Sequence, residues 1–256
     1  KLTDSGYKTN KTGFGIGTKF EYQDDVFIGL GQDSYYEKIE TNSSASARQK
    51  SQAGNYWDTF LNVDLNYDKR NQKFRPTDGF RSSYSVNLPI ISENNSLMNT
   101  YVFTIYDELY QDNVTKFSFF AKAANSLTND NIKLSERIYL PGSRLRGFVS
   151  GGVGPKDGND FIGGNYASSV NIQTSIPQLL PNIQNMDVSM FFDAGNVWGV
   201  DYDSSLNDTN KIRSSIGFGI DWFTLIGPLS VSFSHPISKV DSDKTETFKF
   251  NLGTTF

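Results

Sequence analysis

Arg144 and Arg146 flank a leucine in "SRLRGF", inside a long glycine-rich segment, RIYLPGSRLRGFVSGGVGPKDGNDFIGGN, residues 137–165. No carboxylate follows them until Asp157. A guanidinium can donate a bidentate pair of charge-assisted hydrogen bonds, where an ammonium acts as a point charge. Gly147, next along the chain, permits a turn or a close backbone approach. The chemistry on offer is anchoring rather than bond breaking. Cysteine is absent, and the single histidine, His235, shares its strand parity with Val231 and Phe233 on an apolar face. A serine or cysteine nucleophile therefore has no base to activate it, and no enzymatic activity is expected. "GGVGPKDG" lacks the strand-to-helix setting of a phosphate loop. Asp201/Asp203 and Asp241/Asp243 lack an EF-hand's ligand spacing and read as solvated loop acids, so no metal or other cofactor is expected. Asn94/Asn95 and Gly151/Gly152 read as turn chemistry.

Such groups need elements to position them, and the elements are strands. Period-two alternation runs through most of the chain, and helical periodicity is hard to find. In "FKFNLGTTF", Phe248, Phe250, Leu252 and Phe256 oppose Lys249, Asn251, Gly253 and Thr255. In "SSIGFGIDWF", Ile216, Phe218, Ile220 and Trp222 oppose glycines and Asp221; in "DTFLNVDLNYD", Leu61, Val63, Leu65 and Tyr67 oppose Asn62, Asp64, Asn66 and Asp68. "GFGIGTKFEY" sets Phe14, Ile16 and Phe20 against Gly15, Gly17, Lys19 and Glu21.

A soluble sandwich and a membrane barrel both alternate in this way. Three features favour the barrel. The segments reach the roughly 9–11 residues that a tilted spanning strand needs. Aromatic residues recur towards segment ends (Tyr22, Tyr67, Tyr101, Tyr110, Trp198, Trp222, Phe256), where an interfacial girdle sits. The opposite faces are glycine and polar, as a wet interior allows. No stretch approaches 18 continuous apolar residues, which excludes a transmembrane helix. A mean hydropathy of -0.46 leaves a barrel open, because only alternate residues face lipid. The net charge of -4, with no basic stripe, argues against nucleic acid as a partner.

Eleven strands are expected, near 12–22, 25–38, 55–67, 80–90, 98–110, 114–126, 163–176, 186–198, 212–223, 228–237 and 247–256, in one all-β antiparallel domain over residues 1–256. Residues 1–10 can hide a twelfth strand, although opening strands absent from this sequence are the preferred account of the odd count. Short turns alternate with long connections, 127–162 being the longest. Bacterial barrels keep short turns on the periplasmic side, so this parity puts the C-terminus there. Residues 1–10 and 39–54 are rich in Ser, Thr, Asn and Lys and read as mobile loops.

From the long loop onward the sequence resembles the BamA-type family of outer-membrane assembly barrels, within the wider bacterial surface antigen and POTRA-transporter superfamily. Leu145, Arg146, Gly147 and Phe148 ("LRGF") resemble the motif at the tip of that family's sixth external loop. "GGN", residues 163–165, resembles the opening of the next strand; "FFDAGNVW", residues 191–198, and "GFGIDWFTLIGPLSVSFSHPI" resemble later strands. "FKFNLGTTF" is similar to the final strand, with Phe248, Phe250, Leu252, Gly253 and Phe256 forming a signal that assembly machinery recognises. "FRPTDGF" is similar to a turn several strands earlier. The resemblance implies the last eleven of sixteen strands, and neither the opening strands nor POTRA domains are evident.

The resemblance also implies that residues 127–162 fold into the lumen, with Arg146 meeting Asp193. Parity puts Asp193 opposite the apolar face formed by Val188, Met190, Phe192 and Ala194, where a carboxylate avoids lipid. Where the family usually has a glutamate, this chain has Gln173, also of lumen parity, which can accept a hydrogen bond without adding charge. The implied function is insertion and folding of outer-membrane proteins in a Gram-negative outer membrane, by edge-strand templating and local bilayer disturbance. Its partners are the lipid bilayer, unfolded outer-membrane clients and, through POTRA domains, accessory lipoproteins. A TamA-like or two-partner-secretion barrel, and a passive diffusion channel, are the alternatives.

Overall fold

Alternation of apolar and small or polar residues gives each strand two unlike faces, and eleven such strands join edge to edge. The structure is a computed structural model that describes residues 6–93, 95–110, 112–179, 185–206, 211–224 and 227–252. The first six strands are β1 (Tyr7–Gln23), β2 (Val26–Thr41), β3 (Gly54–Asp68), β4 (Gly79–Ile91), β5 (Ser96–Tyr110) and β6 (Asn113–Ser126). A two-residue hairpin inside the long loop supplies β7 (Lys156–Asp157) and β8 (Asp160–Phe161). Then come β9 (Tyr166–Ser175), β10 (Met186–Trp198), β11 (Arg213–Thr224), β12 (Gly227–Ser238) and β13 (Phe248–Leu252). The large sheet has the order β1-β2-β3-β4-β5-β6-β9-β10-β11-β12-β13, antiparallel throughout. Among the described residues β1 and β13 are each paired on one side only. The sheet is an incomplete barrel wrapped around a cavity of about 1590 Å³.

The eleven expected strands are the eleven observed, and residues 7–10 extend β1 rather than forming another strand. The strands of the first half are longer than a bilayer demands. At about 3.3 Å per residue, a strand of β1's length exceeds a tilted crossing, and on the long-loop side the inner residues of β2 and β3 pack under loops. Ile39 and Glu37 on β2 and Asp58 and Phe60 on β3 are buried there.

The convex face carries the large exposed apolar side chains: Ile16 is 74 % exposed and Phe218 55 %. A band of this kind, continued across every strand, cannot face water and instead fits lipid. His235 shares this face, opposite Ile216. Of the expected girdle, Tyr22, Tyr67, Tyr110, Trp198 and Trp222 are exposed, whereas Tyr101 lies well inside β5 and accepts a hydrogen bond from Ser82. Phe256 and Gly253 lie outside the described residues, as does the side chain of Leu252.

The concave face is less uniformly polar than alternation suggests. Phe120 and Ala124 on β6 point inward and form an apolar core with Ile138, Leu140, Leu145 and Phe148 of the long loop. The loop is thus held on the inner wall by hydrophobic burial as well as by polar bonds.

Residues 39–54 depart from the expected mobile loop. Residues 39–41 complete β2, and residues 47–51 form helix α1 (Ala47–Ser51). Ser46 and Gln49 make a reciprocal capping box that satisfies backbone donors at the helix start. Arg48 lies over the Tyr202 ring at 4.3 Å and donates to the Tyr202 carbonyl, so α1 is docked on the 199–206 segment.

An arginine at position 218 would have to enter the hydrocarbon region or displace its strand. We expect Phe218→Arg to cost about 2–4 kcal/mol of folding free energy into lipid vesicles. Urea titration of wild type and variant in the same vesicles measures it. A cost near zero would mean that this face is not in lipid.

Candidate functional site

The candidate site is built on the inner faces of β9, β10 and β11, against the tip of the long loop. Asp193 lies opposite Asn171 on β9 and Ser215 on β11, and it is fully buried. Its neighbours on the same face are Phe191 and Ser189, whereas Met190 and Phe192 are exposed on the convex side. The loop tip comes down onto this carboxylate. Arg146 donates from Nε to Asp193 Oδ2 at 2.8 Å and from Nη2 to Oδ1 at 2.8 Å, while its backbone N–H donates to Oδ2 at 3.0 Å. Its remaining Nη1 donates to Gln173 Oε1 at 2.9 Å. Gln173 passes the network on by donating to Ser189 Oγ at 3.0 Å. The guanidinium lies over the Phe191 ring, its Cζ 3.4 Å from the centroid. A planar cation fits a fork, an amide and a ring face together; lysine fits none of these as well.

The flanking motif residues hold the backbone for this clamp. Gly147 has φ +89°, and a Cβ there would lie 3.2 Å from Ser215 Cβ and 3.3 Å from Ser234 Cβ, so both conformation and space favour glycine. Ser215 donates to the Arg146 carbonyl. Leu145 and Phe148 are buried in the loop–wall core. Phe148 also bridges to Thr245, and Val149 donates to the Lys244 carbonyl at 2.9 Å, which ties the tip to the β12–β13 connection. Phe248 and Phe250 lie apart from this cluster, exposed on the convex face of β13.

A second anchor is not signalled by any motif. Lys133, in the long loop, is fully buried among three carboxylates: Glu37 at 3.2 Å, Asp58 as its hydrogen-bond acceptor, and Glu136 at 3.5 Å. Ser135 donates to Glu37, Ser92 to Asp58 and Ser96 to Glu136. Lys11, from the edge strand, reaches Glu37 at 3.5 Å from a more exposed position. Burial raises the Glu136 carboxyl above its ordinary value, with Lys133 pulling the other way. Inward parity of Glu37 and Asp58 was readable from the strands; their shared lysine, 75 and more residues away, was not.

The loop acids also need correction. Asp201 is not simply solvated: it accepts from Arg137 and from the Ile132 backbone N–H. Asp243 is buried in a bidentate pair with Arg213, at 3.0 and 2.9 Å. Each arginine comes from a distant part of the chain, so strand parity gave no hint of it. Asp203 remains exposed and accepts from Ser205, and Asp241 is exposed as well.

Removing Arg146 would leave a buried carboxylate without its partner, a change that typically costs about 3–5 kcal/mol. We expect Arg146→Ala to release the tip from the wall, read as faster amide exchange over residues 141–153 with the strand amides unchanged. Arg146→Lys should give an intermediate rate. Equal protection in all three proteins would show that the apolar core alone holds the tip.

The Glu136 anchor should respond to pH. The folded state holds the Glu136 proton more tightly than an unfolded chain, so its contribution is complete below about 4.3 and is lost as pH rises through the raised value. Proteolysis of residues 127–140 should accelerate over that interval, and Glu136→Gln should flatten the response. A pH-independent rate in wild type would refute this.

The model of the Omp85 superfamily domain matches residues 2–256. The outer membrane protein assembly factor BamA of Neorickettsia risticii (strain Illinois) is 24% identical over 256 residues, 98% of this chain and 34% of its own length. BamA of Neisseria meningitidis serogroup B is 30% identical over 153 residues, 49% of this chain and 19% of that protein. The crystal structure of BamA from Haemophilus ducreyi lacking POTRA domains 1-3 matches with a TM-score of 0.85 at 24% identity, over 95% of this chain and 54% of that one. CdiB from Acinetobacter baumannii matches with a TM-score of 0.60 at 13% identity, over 96% of this chain and 42% of that one. The chain thus spans about a third of the Neorickettsia relative, and the structural likenesses speak for the fold. The superfamily domain covers nearly every residue, and this chain belongs to the Omp85 superfamily.

Proposed function

We propose that this chain is the barrel part of an outer-membrane protein assembly factor, which inserts and folds β-barrel clients without covalent chemistry. The observation that carries the reading is the pinned loop tip: Arg146 and Asp193 join the long loop to β10 inside a barrel whose two BamA relatives are named outer membrane protein assembly factors. A loop bonded to the inner wall narrows a diffusion path, and it holds the wall in one shape while an edge exchanges partners. Edge exchange itself needs a strand with unpaired backbone groups, and β13 pairs only with β12 among the described residues.

The shortest connections join β1 to β2, β5 to β6 and β11 to β12 at one end, together with the longer 69–78 and 176–185, while the longest, residues 127–165, lies at the opposite end with 42–53 and 199–212. This supports a periplasmic turn side and a periplasmic C-terminus. On this reading POTRA domains of the full-length protein bring accessory lipoproteins to the turn side, and unfolded clients arrive there. The weaker likeness to CdiB gives the secretion-type reading less support.

In proteoliposomes holding the full-length protein, we expect Arg146→Ala to slow client insertion about ten-fold or more, in line with loss of a buried charge-assisted pair. The variant's own barrel should still resist mild denaturant. Wild-type insertion rates in the variant would remove the loop clamp from the mechanism. Conductance without any client insertion by the wild type would favour a diffusion channel.

A further inference from the structure

The cavity inside the sheet is lined by eight cations, and four of them have an acid. Arg146 has Asp193, Arg70 has Asp68 at 2.7 Å, Arg75 has Asp187 at 2.6 Å, and Lys249 has Glu246 at 2.9 Å. Lys19 and Arg81 have no carboxylate within ion-pair distance among the described residues, but they are exposed towards the turn-side mouth. Lys116 and Arg144 are different. Both are half-buried, both line the cavity, and neither has a carboxylate within ion-pair distance among the described residues. The Lys116 ammonium lies near the Tyr106 ring, 5.8 Å from its centroid. Arg144 donates one bond, from Nη1 to Ser118 Oγ at 3.1 Å, and rests over Phe120 at 5.0 Å.

We propose that Lys116 and Arg144 form a binding site for a small oxyanion, a carboxylate or phosphate group, on the inner wall of the barrel. Lys116 and Ser118 are alternate residues of β6 on one face, so their Cα atoms are about 6.6 Å apart. The Arg144 guanidinium on Ser118 therefore sits one step along the wall from the lysine. One oxyanion accepting bonds of about 2.8 Å from each side bridges such a gap. Arg144 and Arg146 both repel the Lys116 ammonium, and only Asp221, whose Oδ1 already accepts from Ser230, offsets them among the neighbouring charges. Three half-buried cations, with Arg70 adding to the repulsion, share one paired carboxylate and Asp221, and are costly together unless an anion joins them. Arginine's planar fork selects a two-oxygen group over a halide.

Acids on neighbouring strands line the same cavity. Asp33 on β2 and Asp64 on β3 face the same cavity and are bonded by Asn62 and Ser85, with no base within ion-pair distance among the described residues. β3 and β6 are three strand spacings apart, about 14 Å along the sheet.

The test uses inorganic phosphate and the full-length protein in a zwitterionic detergent, with phosphorus NMR line broadening as the readout. Saturable broadening is expected in wild type, with affinity falling at least about ten-fold in Lys116→Gln and in Arg144→Gln. Lys116→Arg should keep most of the affinity. Competition by acetate and by a short peptide with a free or amidated C-terminus separates the sources. Displacement by the free-acid peptide alone identifies polypeptide ends as the ligand; resistance to both carboxylates identifies phosphoryl groups. Absence of saturable broadening in wild type, or equal affinity in folded Gln variants, would overturn the site. No client is present in the assay, so its failure leaves the assembly reading untouched.

Discussion

A buried carboxylate on a barrel's inner wall must be answered, and in this chain Arg146 answers Asp193 with two side-chain bonds and one backbone bond. The geometry makes demands in both directions. It needs Asp193 to face inward, which ties it to the register of β9, β10 and β11. It also needs the loop backbone to bend at Gly147 within van der Waals reach of Ser215 and Ser234. Slip β10 by one residue and the acid turns to lipid while the loop loses its post. The pair is thus a constraint on the wall as much as on the loop.

Around that pair the loop uses two further kinds of fastening. Apolar residues of the loop cover Phe120 and Ala124, where β6 would otherwise expose an apolar inner face to water. Towards the far end, Lys133 gathers Glu37, Asp58 and Glu136 from two strands and the loop itself. The arrangement has an excess of acid over base, so it depends on serine hydroxyls and on where protons sit. Arg137–Asp201 joins the long loop to the β10–β11 connection, and Arg213–Asp243 ties the start of β11 to the β12–β13 connection. Hydrophobic burial supplies a non-directional hold, and the ion pairs fix which residue meets which.

Much of this was legible early. Period two located eleven strands within a few residues, because a strand between lipid and a wet interior can satisfy both sides in only one pattern. The same parity placed Asp193 and Gln173 inside and Phe218 outside. Where alternation misled, the loop was the cause. Phe120 breaks the polar inner face because it meets the loop rather than water. Residues 39–54 read as a mobile tract from composition, yet a capping box and the Arg48–Tyr202 contact order them. Asp201 and Asp243 read as solvated because nothing near them in sequence could pair with them.

What the sequence determined by itself is therefore everything that depends on neighbours one and two residues away: the strands, their two faces, the turns between them and the inward set of acids. The likeness of "LRGF" and "FFDAGNVW" to a known family supplied one long-range pair in addition. The remaining partners were decided by tertiary structure alone. Lys133 meets Asp58 across 75 residues and Arg75 meets Asp187 across 112. Such meetings depend on how a curved sheet brings distant walls around one cavity, and alternation along a strand carries no information about curvature.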